Sequence, residues 1–301
     1  MTRRLDSVFL LFVALFVTHA SASGQVDSCR IRQKVLWSST TLLGGGSLAA
    51  LATLWYRDHT GGGFHFHDDL GHWLQMDKAG HLGAAYWMSD GYAQAAEWAC
   101  HDRRESECLA VLVPLTYLGM VELMDGFSAA WGASWGDLAA NVIGSGMFLA
   151  QQKAWNEQRI RIKWSFHRTR YAALRPEVLG DGLATEVLKD YNGQTYWLSF
   201  NLKAIGAWPN APGWLNLALG YGAEGMTGGA GNPAGLFLPS GYPSLDRRRQ
   251  YYIAPDIDLS RIPGGKPWVK TLLRTFNILK IPLPSLSWEQ GKGMKFHPLY
   301  F

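Results

Sequence analysis

Residues 156–171, NEQRIRIKWSFHRTRY, hold the change of pattern that decides the fold. Ile160, Ile162, Trp164 and Phe166 alternate with Arg161, Lys163, Ser165 and His167. That period of two belongs to a strand, because successive side chains of an extended chain point to opposite faces. On the carboxyl side the same signal recurs at 195–202, 214–221 and 251–259, so residues 157–301 read as an antiparallel, strand-rich domain. A glycine-rich stretch at 220–235 reads as a loop, and it lacks the Lys-Ser/Thr ending of a phosphate loop. Pro267 opens one amphipathic helix with Val269, Leu272, Leu273 and Phe276 on a single side. Residues 290–293 read as a turn before the closing MKFHPLYF. A terminal aromatic after an alternating segment also fits the last strand of an outer-membrane barrel, an alternative that needs an even series of longer strands.

On the amino side the period changes to that of helices. Apolar runs at 35–56, 78–100, 109–124 and 135–155 predict a bundle of about four apolar, membrane-associated helices over 33–156. The whole chain is therefore expected to be α+β. The run at 35–56 carries no charge, is flanked by Lys34 and Arg57, and places Trp37, Trp55 and Tyr56 where interface anchors sit. It suits a membrane span and a buried helix of a soluble bundle equally. Pro114 is expected to delay or kink the third helix, and Ser134 to cap the fourth.

The outermost segment reads as an address. Arg3 and Arg4 precede an apolar run at 8–17, followed by Ala20-Ser21-Ala22, which is the layout of a secretory signal peptide over 1–22. Export makes disulfides permissible for the three cysteines. Cys100 and Cys108 bracket a polar loop, so the expected bridge is between them, with two free thiols as the other reading. Cys29 follows Val26, Asp27 and Ser28, which is not the context of a lipidated cysteine.

Charged residues make up only 17% of the 301 residues against 48% apolar, and the 14 Trp are a large amphipathic supply. The net charge of +4 is spread without any nucleic-acid motif, so no nucleic-acid partner is expected. Against this background the charges inside the helices stand out. Asp77, Lys78 and His81 lie in MDKAGH at 76–81; Glu122, Asp125, Asp137 and Asn141 lie in VELMDGFSAAWGASWGDLAAN at 121–141. Asp77 with His81, and Asp137 with Asn141, are four apart and share a helix face, as do Glu122 and Asp125 at a spacing of three. An unpaired buried charge is costly, so these residues are expected to converge as a polar seam between packed helices. The connector 57–75 adds His65, His67, Asp68, Asp69 and His72, which together offer metal ligands without a recognised spacing.

MDKAGHLGAAYWMSDGY, VELMDGFSAAWGASWGDLAANVIG, KWSFHRTRYAALRPEVLG, LKDYNGQTYWLSFNL and GYGAEGMTGG together resemble the YfiM-like family of predicted periplasmic lipoproteins, a domain of unknown function. The resemblance is most specific from Asp77 to Asn141. The pattern DK-x-x-H, then Glu, then D-x-x-x-N is similar, more loosely, to VanZ-like membrane proteins. The resemblance implies an envelope location and a helical, membrane-associated module, and it implies no activity.

These readings predict an exported, membrane-associated envelope protein that binds a lipid, glycan or partner through the seam. The cofactor, the metal and any protein partner are left undetermined. A metal-assisted envelope hydrolase using the same residues is the first alternative and a barrel component the second. No nucleophile elbow or zincin helix is present, which weighs against an enzyme.

Overall fold

The computed structural model describes residues 25–54, 56, 61–236, 238–242 and 244–300, so the signal read at 1–22, Trp55 and Phe301 lie outside it. It divides into two units, residues 1–69 with 84–156 and residues 70–83 with 157–301.

Helix α1 (Gln25–Ser39) passes through a π-helical turn (Thr40–Gly44) into α2 (Gly45–Leu54). Next come α3 (Met76–Trp98), α4 (Arg103–Gly126) and α5 (Trp135–Trp155). Among the described residues two helical stretches, Ser28–Thr53 and Arg103–Gly126, are long and apolar enough to cross a membrane, against the expectation of four. The reason lies in the middle of each helix: α4 has an uninterrupted apolar run from Leu109 to Val121 apart from Thr116 and two small or proline residues, whereas α3 is diluted by His81, Asp90 and Gln94 and α5 by Asn141, Gln151 and Gln152. Helix α4 begins where Asp102 accepts a hydrogen bond from Glu105 N at 2.8 Å, and it runs on through the buried Pro114. Ser134 caps α5 as expected, accepting from Asp137 N at 3.1 Å, and Asn156 ends it in the left-handed region.

Two polar clips tie the first helices to their neighbours. Thr40 meets the Tyr92 hydroxyl and Ser47 meets the Tyr117 hydroxyl, both at 3.0 Å. The expected Cys100–Cys108 bridge is replaced by Cys29–Cys100, and Cys108 is free and exposed. Cys100 sits in the turn after α3 at a positive φ, near the packed Leu36, Ala96 and Ala99, which brings α1 to it; Cys108 is carried outward on the first turns of α4. Because Cys29 is in a disulfide, its sulfur is not available for a thioether to lipid.

The second unit is a six-stranded antiparallel meander in sequence order: β1 (Ile160–Phe166), β2 (Gln194–Asn201), β3 (Leu215–Glu224), β4 (Arg248–Ile257), β5 (Leu283–Glu289) and β6 (Gly293–Tyr300). Short helices α6 (Pro176–Leu179) and α7 (Leu183–Lys189) lie between β1 and β2, and the predicted amphipathic helix is α8 (Pro267–Phe276). Four strands match those read from the sequence. Residues 222–224, expected in a loop, instead complete β3.

Alternation is clear in β2, β3, β4 and β5, and it points the opposite way from a soluble sheet. The buried face carries Thr195, Trp197, Ser199 and Asn201 of β2, Asn216, Ala218 and Gly220 of β3, and Gln250, Tyr252, Ala254 and Asp256 of β4. The other face carries Leu198, Leu219, Tyr251, Ile253 and Trp288 toward the outside. The sheet curls until Tyr300 on β6 reaches Thr195 on β2 at 3.1 Å and donates to the Tyr252 hydroxyl at 2.8 Å. The β4–β5 connection covers the free edge of β1, with Trp164 N donating to Ile278 O and Lys280 N to Trp164 O, each at 2.8 Å.

Trp197 is the centre of this interior, packed with Ala218, Tyr252 and Ala254. It lies across from Gly220, where a Cβ would come within 2.7 Å of its ring, so glycine is required there to admit the indole. Beside it, Lys163 and Asp256 form an ion pair of 2.9 Å at 0% exposure. Ser199 Oγ donates to the same carboxylate at 2.6 Å, and Asn216 Nδ2 donates to Ser199 at 2.8 Å. Lys163 Nζ also donates to Ile257 O at 2.6 Å. A buried pair is tolerable only with such added hydrogen bonds, because desolvation alone exceeds the Coulomb gain.

Candidate functional site

The predicted seam residues fall into two groups, and each is described within its own unit. In the first unit Ser134 is the organising residue. Its backbone N donates to Glu122 Oε2 at 3.0 Å, its hydroxyl donates to Asp69 Oδ1 at 2.6 Å, and the same hydroxyl accepts from Asp137 N. One serine thus joins the end of the connector, α4 and the first turn of α5. Glu122, Asp137 and Asn141 are all buried. Asp137, Asn141 and Ser145 follow at intervals of four on α5, and Ser145 accepts from Ser89 on α3 at 3.1 Å. The helical unit therefore has a polar stripe where a soluble bundle places leucines.

Asp125 belongs to the same unit but turns elsewhere. It accepts from the Tyr56 hydroxyl at 2.8 Å, and Tyr56 stands edge-on to Trp131 at 5.8 Å. Burial, and after it the Asp125 charge, push the Tyr56 phenol far up, which keeps it a proton donor.

In the second unit Asp77 accepts from Tyr191 at 2.5 Å and from Lys78 at 3.3 Å. His81 follows one turn later on α3. Gly80 between them lies close to Tyr196: a Cβ there would come within 3.1 Å of the tyrosine hydroxyl, which donates to Gln194 at 2.7 Å. Of the partners these contacts add, Ser134 stands out in the sequence only as a helix cap and Asp69 only as a connector carboxylate. Tyr191 has no sequence signal: it comes from 114 residues downstream, where no local pattern reports it.

The connector does not form the metal site that its composition suggested. Among the described residues no three of His65, His67, Asp68, Asp69 and His72 gather as ligands. Both ring nitrogens of His65 face backbone carbonyls, Gly63 O at 3.0 Å and Trp131 O at 2.7 Å. Backbone bonds of His65 and His67 to Gly126 and Ala133 sew the connector onto the loop after α4. This arrangement exposes a run of aromatic rings: Phe66 stacks on Trp135 at 4.4 Å, and Phe64 meets both Phe66 and Phe127 at 5.4 Å.

Neither the comparison with curated proteins nor that with solved structures gives a match. A family model does match, over residues 62–152, and its description is a predicted periplasmic lipoprotein. The matched segment covers α3, α4 and α5 and contains all seven predicted seam residues. Residues 62–152 are thus similar to the predicted periplasmic lipoprotein family, and that description agrees with an exported protein of the cell envelope.

Proposed function

We propose that this envelope protein is lipid-associated through its carboxyl-terminal sheet, whose outer face meets hydrocarbon while its polar interior is sealed from it. The observation that carries the reading is the inverted polarity of the strands. Outward apolar side chains are exposed from 40% at Leu198 to 69% at Met294, while Lys163 and Asp256 inside are at 0%. In water that distribution is unfavourable on both counts, since each exposed apolar side chain forgoes about 1.5–3 kcal/mol of burial. In a bilayer it is the arrangement that barrels adopt. The strands number six and run from 7 to 10 residues, and β3 and β4, at 10 residues each, reach the length of a tilted membrane strand. The helical unit supports the same reading, with the 26-residue apolar stretch Ser28–Thr53 largely exposed and the polar stripe of α5 buried.

The test is Leu219→Arg with Ile253→Arg, followed by carbonate washing of the envelope fraction. Arginine on a lipid face costs about 2–4 kcal/mol at the midplane and little near the interface, so the variant should leave the membrane fraction. A water-exposed surface would tolerate both changes within about 0.5 kcal/mol. Unchanged retention in membranes would remove the proposal.

A second reading keeps the seam residues of the helical unit, Glu122, Asp137 and Asn141, as the place where a lipid headgroup, glycan or partner is held. Their burial around Ser134 favours it, because ionisable residues inside apolar helices are functional suspects. Glu122→Gln and Asp137→Asn should then abolish co-purification of the bound molecule. Should both variants stay folded and keep it, the seam has a structural role alone.

A further inference from the structure

Helix α8 has no buried residue, although half of its side chains are apolar. Trp268 and Phe276 are exposed, and Val269, Leu272 and Leu273 are half-buried on the same side. Lys266, Lys270 and Arg274 occupy the remaining arc. Lys266 and Lys270 make no ion pair among the described residues. From Leu259 to Trp288 the chain contains Arg261, Lys266, Lys270, Arg274 and Lys280 and no Asp or Glu. Arg261 pairs with Glu157 at 2.8 Å, and Lys280 lies 3.7 Å from Asp256. Lys266 and Lys270 are exposed at the start of the helix. Gly264 and Gly265, both at positive φ, precede Pro267 and turn the chain sharply where the helix begins.

A short helix with one aromatic-aliphatic side, a basic side and no core of its own has the make-up of an interfacial helix. We infer that α8 lies in the headgroup layer of an anionic phospholipid bilayer, with Trp268 and Phe276 at the acyl boundary and Lys266 and Lys270 on headgroup phosphates. The charge pattern decides the occupant. A cationic segment without carboxylates matches an anionic surface, whereas a second copy of the same helix would be repelled. The inference rests on the lipid-facing reading of the sheet and adds a headgroup class to it.

The experiment uses the full chain in a Cys108→Ser background, with an environment-sensitive dye on Trp268→Cys and, in a separate sample, on Leu219→Cys. A third sample labels Phe276→Cys, in case the tryptophan change disturbs folding. Each is mixed with phosphatidylcholine vesicles with and without phosphatidylglycerol. The expected result is a blue shift at 219 with both vesicles, and at 268 and 276 only when phosphatidylglycerol is present. Lys266→Gln and Lys270→Gln should each raise the phosphatidylglycerol needed for half the shift about fivefold. A shift at 219 with none at 268 or 276 overturns the inference and leaves the sheet reading standing. Equal shifts at 268 with both vesicle types overturn the anionic assignment. A concentration-dependent shift at 268 without vesicles means self-association and overturns it as well. No shift at any position overturns the sheet reading and the inference together.

Discussion

The helical unit and the sheet unit place their polar residues alike and declare them differently. In the helices Asp137, Asn141 and Ser145 form one buried stripe, while Val142 and Ile143 between them are exposed. In the sheet Lys163, Ser199, Asn216 and Asp256 are buried, while Leu198, Leu219 and Ile253 face out. Both units are inverted relative to a soluble core. The sheet is the more committed of the two, because its interior contains a full ion pair, whereas the helical cluster is built largely of hydrogen bonds around one serine. A charge buried among strands depends on partners that other strands bring to it; a carboxylate at a helix start also has backbone N–H groups.

That difference predicts where substitution costs most. Asp256→Asn leaves the ammonium groups of Lys163 and Lys280 facing one another with no carboxylate between them. Loss of about 3–5 kcal/mol is expected, read as a lower thermal midpoint in detergent. Adding Lys163→Met and Lys280→Met should return much of it, and an Asp256→Asn protein as stable as the parent would show that the ion pair is immaterial. In the helical unit the buried Glu107 is paired with two exposed cations, Arg103 and Lys153, so its loss strands no buried charge. The largest lever in that unit is covalent: Cys29→Ser opens a loop spanning a sequence separation of 71 residues, at an expected cost of about 2–4 kcal/mol. Unchanged migration of the variant and parent under non-reducing conditions, with equal midpoints, would argue against the bridge.

Why one bridge was misread bears on what a sequence reports. Cys100 and Cys108 were near in the chain and joined by polar residues, a local criterion. The pairing with Cys29 is decided by which helix packs beside the turn, a tertiary fact with no local trace. The strands show the same division. Ile160 to Phe166 announced a period of two, and the strand is there. The period does not say which face is inside, and the inward turn of Lys163 is settled only by Asp256, 93 residues later in the chain. Strand β6 shows in the sequence only as an alternating segment before the terminal aromatic, and β5 does not show, because prolines interrupt them; both Pro284 and Pro298 sit where the ladder tolerates them, Pro284 at a register shift. In the helical segment the seam residues were legible as costly charges in apolar sequence. Their hub was not, since Ser134 looked like a cap and nothing more.

Ser134→Ala therefore tests the helical side of the comparison at its centre. The cap of α5 is worth about 1 kcal/mol, and loss of the hydroxyl that Asp69 accepts from brings the expected total to about 1–2 kcal/mol. Ser134→Asp restores a cap acceptor but not the donor to Asp69. Recovery by Ser134→Asp would mean that capping is the whole of the effect, and that Ser134 does not knit the three elements together.

The smallest expected effect is a pH dependence confined to the sheet unit. Asp258, just past β4, is buried at 1% exposure; it accepts from Ser260 N at 3.0 Å and Asn277 Nδ2 at 2.7 Å, and lies near Arg161 at 3.4 Å and Arg261 at 3.3 Å. Burial pushes its carboxyl up, but Arg161, Ser260, Lys163 and Arg261 together outweigh burial and hold it below the usual carboxylate range. A depressed carboxylate binds its proton more readily in the unfolded chain than in the folded one. Its contribution is therefore complete above the unfolded value of about 4 and is lost as the pH falls through the lower folded value. Unfolding free energy measured across this acid limb should fall less steeply in Asp258→Asn than in the parent. Equal slopes would place the acid sensitivity elsewhere, and would mean that the arginines at this corner neutralise the desolvation of Asp258 without stabilising the fold.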